Sequence, residues 1–475
     1  MDFKSAIKNE MNQTQTTNGM GSLVSSKNAC VDLFYQIGAS RGRDVSGLFK
    51  AALAEDEDTA LRIVLWARDV RGGAGERQVF RGVLKQLENT RPDLAIKLLN
   101  RTAEVGRWDD LLVCENAETR GVAFGLIKTA LEENNVLCAK WMPRKGPVAK
   151  ALRLFLGLEN EQAYRKYITQ KTRVVEQAMC AKLWNEIDFS KTPSLASIRY
   201  KNAFQRNAPE AYSAYIAALS KGDPTVKINA GAVYPHDVLS LLKSRGVDLE
   251  TEQLVTAQWE ALPNFLGSNS ILPMVDVSGS MECPVGNTSG SLECVDVAVA
   301  LGLYISQKNK GDFADMVLTF DSDPEFVIFD PEQGIVNRYE QLRDAAWGGS
   351  TNIEGAFKQI LDLAIRNKIE PRDMPRILLV LSDMQFDEAD SGFSRSSALD
   401  VLKERYMVAG YEIPSIVFWN LNSHDNIPVS FDQKGTALIS GFSPAILKAV
   451  LSSDLSELTP ESIMAKAVMI ERYDI

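Results

Sequence analysis

Between residues 276 and 280 the chain reads Asp-Val-Ser-Gly-Ser, so a carboxylate and two hydroxyls recur at every second position through a turn containing Gly279. Alternate side chains of an extended or turning backbone share a face, which lets Asp276, Ser278 and Ser280 present three oxygens to one point. A hard divalent cation takes such ligands, and Mg²⁺ in particular accepts few protein oxygens in an octahedral shell and keeps several waters. A second carboxylate, Asp383, closes the apolar run RILLVLSD at 376–383, and the stretch Trp347-Gly348-Gly349-Ser350-Thr351 adds a further hydroxyl ahead of a helical pattern. Each piece alone is weak, since a carboxylate after an apolar run often only caps a helix and Gly-Gly-Ser-Thr serves as a plain turn. Their shared placement at strand-to-helix junctions makes them a candidate site.

The elements that must hold these residues follow from periodicity. Short apolar runs rich in β-branched and aromatic residues occur at 270–280, 315–320, 325–329, 376–383 and 414–420, with helical stretches between most of them at 292–307, 353–367 and 395–408. Strands alternating with helices predict a mostly parallel, doubly wound α/β sheet, whose ligands sit beyond the carboxyl ends of strands near the topological switch point. Asp276 and Asp383 end such strands. The first half reads differently. Apolar positions at helical spacing predict helices over 60–70, 76–87, 93–105, 108–114 and 122–131, separated by short polar breaks, which favours an all-α array of HEAT-like repeats, a ring or an arc, over a bundle. The expected boundaries are a polar tail at 1–30, the helical domain at 31–265, the α/β domain at 270–452 and a helical tail at 453–475.

Composition restricts function. The 475 residues hold 52 Lys plus Arg against 62 Asp plus Glu, with two His and six Cys. The net charge of −10 argues against a surface wholly devoted to nucleic acid, but it is divided: residues 1–270 carry 36 basic and 31 acidic side chains, and residues 271–475 carry 16 and 31. The polar first 22 residues lack a signal-peptide core, and no aliphatic run approaches the roughly 20 residues that span a bilayer, so a cytoplasmic protein with no membrane partner is expected. No C-x-x-C pair occurs and histidines are scarce, which disfavours zinc. Free thiols are expected, with Cys283 and Cys294 open to bridging only in an oxidising environment. Neither His236 nor His424 lies in a nucleophile-base motif and no Walker A sequence is present, so no enzyme activity is expected.

The residues also carry a resemblance. Asp276, Ser278, Ser280, Thr351 and Asp383 resemble, in order and context, the metal-ion-dependent adhesion site of von Willebrand factor A domains. That resemblance implies Mg²⁺ or Mn²⁺ held by Ser278, Ser280 and Thr351, with Asp276 and Asp383 neutralising it, and a coordination position left for an acidic group of a protein partner. A helical half followed by an A domain is also the layout of TROVE-containing Ro autoantigen proteins, which LFKAALAEDEDTALRIVLWARDVRGGAGERQVFRGVL, EVGRWDDLL and the DVSGSM form of the site motif resemble. RGGAGER, GRWDDLL, WGGSTN, LSDMQFD, VFWNLN and SGFSP resemble more closely a TROVE-like and A-domain family without established activity, over about residues 30 to 450.

Binding of the Ro type implies a ribonucleoprotein and needs a basic surface on the helical half. Residues 140–206 hold 14 Lys or Arg against five acidic residues, among them Lys140, Arg144, Lys145, Lys150, Arg153, Arg165, Lys166, Lys171 and Arg173, interleaved with Trp141, Tyr164 and Tyr167. Such cations track phosphates and exposed rings stack on unpaired bases, whereas ordinary helix exteriors carry the same residues solvated. The segment Arg71–Arg77 either presents backbone amides to an anion at a helix start or, as the expected reading, forms a tight inter-helix turn. The expectation is therefore a non-catalytic RNA-binding protein whose A domain engages a protein partner. The alternative is an assembly scaffold, such as an adaptor for a MoxR-type AAA+ ATPase, without RNA.

Overall fold

The computed structural model describes residues 3–243, 246–266, 271–285, 292–320, 324–345, 352–387, 398–422, 424, 426–452 and 458–475. Thr351 and the preceding 347–350 lie outside the described residues.

The helical half starts with Ala29–Ile37, capped by Asn28, whose side chain accepts from Val31 N–H. Ser46–Glu55, Glu57–Arg68, Arg77–Thr90, Pro92–Val105 and Ala117–Glu132 follow, each packed on its neighbours. The start of Glu57–Arg68 shows why the chain obeys its sequence signals: Asp56 accepts from Thr59 N–H at 3.1 Å and from Thr59 Oγ1 at 2.7 Å, satisfying an otherwise orphaned first-turn donor. The Gly-rich segment that ends it is a tight turn. The amides of Gly73, Ala74, Gly75 and Glu76 donate to carbonyls of Trp66, Ala67 and Asp69, leaving none of these four for an anion. A Cβ on Gly73 would stand 1.8 Å from the Trp66 carbonyl oxygen, so only glycine fits there.

In the second half a six-stranded sheet has the order β5-β4-β3-β6-β7-β8. With the N-terminal pair β1 (Gln13–Gln15) and β2 (Gly21–Leu23), its strands are β3 (Leu272–Asp276), β4 (Met316–Phe320), β5 (Glu325–Ile328), β6 (Ile377–Ser382), β7 (Ser415–Asn420) and β8 (Thr436–Ser440). All neighbours are parallel except the edge strand β5. Chain order reverses between β3 and β6, which makes their carboxyl ends the switch point. The helix Cys294–Lys308 seats against β3 through Gly302, where a Cβ would meet the Val275 side chain at 2.5 Å. Strands β3 and β6 are buried along their whole length, as their unbroken apolar runs demand.

The halves are not separate cores. One apolar cluster runs from Cys30 to Tyr473 through both, and a second, smaller one surrounds Phe189, Phe204, Tyr212 and Ile216. Helix Ala29–Ile37 lies against β8, where Ser440 Oγ donates to Phe34 O at 2.9 Å and accepts from Gly38 N–H at 3.1 Å. The C-terminal tail, helical over Pro460–Val468, touches both β8 and helix Glu57–Arg68, and Arg472 and Tyr473 converge on the buried Asp69. The first residues depart from a plain polar tail: β1 and β2 form a hairpin across Asn18-Gly19, and Leu23 exchanges backbone hydrogen bonds with Ile427.

Candidate metal centre

Register brings the two carboxylates together. Val275 of β3 pairs with Leu381 of β6, so Asp276 lies beside Ser382 and one residue short of Asp383. Asp276 is fully buried, and Asp383 nearly so. Beyond β3 the chain turns at once: Ser278 N–H donates to Asp276 Oδ1 at 3.0 Å and Ser278 Oγ to the same oxygen at 2.6 Å. A short 3₁₀ turn, Gly279–Glu282, then carries Ser280 back so that its Oγ lies 3.1 Å from that of Ser278. Ser280 also hydrogen-bonds to the Asp383 carboxylate. Beyond β6, Met384 takes the left-handed conformation, φ 64°, a costly position for a side-chain-bearing residue. In that turn Gln385 N–H donates to Asp383 Oδ1 at 3.2 Å. Asp276, Ser278, Ser280 and Asp383 thus meet in one place.

Two acids this close and this buried oppose each other's ionisation. Burial first, and then the Asp383 charge, push the Asp276 carboxyl up to about 7, against the bonds from Ser278 and Ser382 that favour its anion. Asp383 is raised as well, chiefly by burial, with His424 pulling the other way. Among the described residues no Lys or Arg forms an ion pair with either carboxylate; the imidazole of His424 lies nearby, its Nε2 4.0 Å from Asp383 Oδ2. His424 thus reaches the site although no nucleophile-base motif in the sequence marks it. The donor set is all oxygen, two carboxylates and two hydroxyls, the chemistry that suits a hard divalent ion. Among the described residues no three His, Cys, Asp or Glu side chains gather to hold a metal ion, so any cation here would rest on the hydroxyls together with the two carboxylates.

Several supporting residues lie outside the sequence-derived set. Ser382 Oγ donates to Asp276 Oδ2 at 2.5 Å and accepts from Met384 N–H at 2.9 Å, so it orients the second oxygen of the buried acid. Gln385 Nε2 donates to Asn426 Oδ1 at 3.0 Å, and Asn426 Nδ2 to Met384 O at 3.1 Å. The N-terminal hairpin closes over the same loop: Thr16 Oγ1 donates to Phe386 O at 2.6 Å, Thr17 N–H to Gln385 Oε1 at 2.7 Å and Asn18 Nδ2 to Gln385 O at 2.7 Å. The Asn18-Gly19 dipeptide is a strong hairpin signal and marks that element in the sequence.

The basic stretch of the helical half divides in two. Lys140 pairs with Glu176 at 2.8 Å, Arg144 is half-buried and donates to Thr172 Oγ1 at 3.0 Å, and Lys171 donates to Asn134 Oδ1 at 2.8 Å. Arg153 ties down the loop that follows its helix, donating to the carbonyls of Leu158 and Glu159 at 2.7 and 2.6 Å. Lys145, Lys150, Arg165, Lys166 and Arg173 are exposed. Of the rings expected to stack on bases, Tyr164 is buried with its hydroxyl on Pro143 O, and Trp141 lies under the Arg107 guanidinium at 3.6 Å. Tyr167 is partly buried, with the Lys171 ammonium 5.0 Å from its ring. The helix Pro147–Phe155 leaves Leu154 and Phe155 exposed. Among the described residues no helix is long and apolar enough to cross a membrane.

Comparison with known proteins follows the same division of the chain. Residues 16–132 and 156–271 match the domain of unknown function DUF2828, and residues 269–471 match the domain of unknown function DUF7788. The chain is similar to an uncharacterized protein of Acanthamoeba polyphaga mimivirus, at 29% identity over 95% of this chain and 86% of that protein. Among solved structures it is similar to the Ro (RSR) protein of Deinococcus radiodurans, with 13% identity, a TM-score of 0.38, and coverage of 94% of this chain and 100% of that one.

Proposed function

We propose that this chain is a non-catalytic binding protein of two cooperating surfaces: a divalent-cation site of the von Willebrand factor A type that recruits an acidic group of a protein partner, and a cationic face of a HEAT-like helical half that holds RNA. The observation that carries the first part is the buried pair Asp276 and Asp383, set with the hydroxyls of Ser278 and Ser280 at the switch point of the sheet and lacking any Lys or Arg partner among the described residues. Buried carboxylates need compensation, and a cation supplies it. Ser278 and Ser280 would hold Mg²⁺ or Mn²⁺, with Thr351 as the further hydroxyl that the motif implies, while Asp276 and Asp383 balance its charge. Bound there, the ion acts as a Lewis acid open to a carboxylate oxygen from outside. Calorimetric titration with Mg²⁺ tests this. Wild type binds, Asp276→Ala and Asp383→Ala do not, and unchanged binding in both variants refutes the assignment.

RNA binding rests on the five exposed cations, Lys145, Lys150, Arg165, Lys166 and Arg173. Phosphate contacts make affinity fall steeply with salt, with a slope set by the number of phosphates neutralised. Reversal of Lys145, Arg165 and Lys166 to Glu is therefore expected to abolish gel retardation of single-stranded RNA at low salt and to flatten the slope; intact binding by that variant overturns it. A scaffold reading, with a protein such as an AAA+ ATPase on the same surface, draws support from a specific observation. Of the three rings Tyr164 is buried and Trp141 and Tyr167 are partly covered, while Leu154 and Phe155 stand exposed. Co-purification separates the two: nucleic acid absorbing at 260 nm favours RNA, a stoichiometric protein favours the scaffold.

A further inference from the structure

Apart from the metal centre, the structure places two cysteines in contact. Cys283 Sγ lies 3.5 Å from Cys294 Sγ, whereas Cys30, Cys114 and Cys138 are buried away from other thiols and Cys180 is exposed alone. The backbone explains the proximity. Pro284 and Glu293 form an antiparallel bridge, flanked by hydrogen bonds from Cys294 N–H to Cys283 O and from Val285 N–H to Leu292 O, both 3.1 Å. Cys283 and Cys294 are therefore opposed beside that single bridge, sharing one backbone hydrogen bond while Cys283 N–H turns back to Ser280 O, in a pairing whose Cα atoms stand about 5.5 Å apart. A disulfide requires a Cα separation of about 4.4–6.8 Å, so the bond needs side-chain rotation and no backbone displacement.

We propose that Cys283 and Cys294 are a reversible dithiol–disulfide pair, a modification site that takes a small disulfide such as oxidised glutathione as its oxidant and pins the chain leaving the Asp276–Ser280 turn to the start of helix Cys294–Lys308. The two thiols differ in access, and this sets the order of events. Cys283 is partly exposed and accepts a hydrogen bond from Asn422 Nδ2 at 3.2 Å, while Cys294 is fully buried with its Sγ 3.8 Å from Leu421 O. Cys283, its proton lost to solvent, attacks one sulfur of glutathione disulfide; the S–S bond breaks and one glutathione leaves, protonated by water. Cys294 then gives up its proton and attacks Cys283 Sγ, displacing the second glutathione. Two thiols are oxidised by two electrons, and one glutathione disulfide is reduced to two glutathiones.

The test uses the full chain, with EDTA throughout so that its outcome is independent of metal binding. After equilibration at graded ratios of reduced to oxidised glutathione and acid quenching, thiols are counted in denaturant and peptides mapped by mass without reduction. The expected result is loss of two of the six thiols, a linked Cys283–Cys294 peptide with no glutathione retained, and full reversal by excess reduced glutathione. Cys294→Ser is expected to stop at a stable glutathione adduct on Cys283, and Cys283→Ser to leave Cys294 unmodified. A stable glutathione adduct on Cys283 of wild type, or oxidation confined to Cys180, overturns the pair, and the wild-type map decides even if a variant fails to fold.

Discussion

Substitution of Asp276 by Asn tests the electrostatics of the candidate metal centre directly. The replacement keeps the shape: its amide oxygen can still accept from Ser278 N–H and Oγ, and its NH₂ can face Ser382 Oγ, which now holds Asp276 Oδ2 at 2.5 Å. What it removes is a titration. In the folded, metal-free protein the Asp276 carboxyl is held up to about 7, first by burial and then by Asp383, against an ordinary value of 3.8. A group whose folded pKa is raised contributes stability that is complete below the unfolded pKa and is lost as pH climbs through the folded one. With about 1.4 kcal/mol per unit, three units amount to roughly 4 kcal/mol lost between about pH 4 and pH 7. A cation that binds only the ionised site returns part of this, about 2.7 kcal/mol at a hundred times its Kd. In EDTA at pH 8, Asp276→Asn is therefore expected to melt several degrees above wild type, to keep less than half of that advantage at pH 5, where about 1.7 kcal/mol remains by the same arithmetic, and to gain nothing from Mg²⁺. Comparing variant with wild type at each pH subtracts other groups, such as the buried Glu76, whose carboxyl is likewise pushed up to about 7 by burial. Equal melting of the two proteins at pH 5 and pH 8 in EDTA would refute the buried like-charge pair.

Two further substitutions probe the scaffold around the site. Ser382→Ala strips a donor from Asp276 Oδ2 and an acceptor from Met384 N–H, so it is expected to cost about 2 kcal/mol in urea denaturation and to weaken Mg²⁺ binding in calorimetry; unchanged affinity removes Ser382 from the positioning set. Gly73→Ala drives a Cβ to 1.8 Å from the Trp66 carbonyl and should destabilise by a few kcal/mol, whereas Gly121→Ala, with nothing within 4 Å and a place inside helix Ala117–Glu132, should gain up to about 1 kcal/mol. Similar melting of both variants would show that the turn at 71–77 yields.

The parts of the fold visible in the sequence are those whose cause is local. Strands β3 and β6 are buried on both faces and so appear as unbroken apolar runs, and their carboxyl ends then locate Asp276 and Asp383 by topology. Strand β8 (Thr436–Ser440) has the same burial and the same five-residue length as β3, but in Thr-Ala-Leu-Ile-Ser the apolar run is only three residues between two hydroxyls, too little to separate from a turn by pattern. The support beneath Asp383 is hidden for another reason. Thr16, Thr17 and Asn18 bond to residues some 370 positions away, and no periodicity reports such a pairing; only the Asn18-Gly19 turn betrays the hairpin. The basic stretch shows the opposite error. Counting charge finds Lys140, Arg144, Arg153 and Lys171, but whether a cation faces solvent or caps a carbonyl depends on neighbours that composition does not record.

Because one apolar cluster serves both halves, the candidate metal centre and the helical surface are parts of one structural unit rather than beads on a linker. The N-terminal hairpin makes the link concrete. It leads through Ser26 and Asn28 into helix Ala29–Ile37, which packs on β8, while its tip holds Gln385, whose backbone N–H bonds to Asp383. A displacement of that first helix therefore has a continuous hydrogen-bonded path to a carboxylate of the site. If the proposed cation binds, it would fix Asp383 and, through Gln385, the hairpin, so ion binding is expected to reach helix Ala29–Ile37 before it reaches the distant basic stretch.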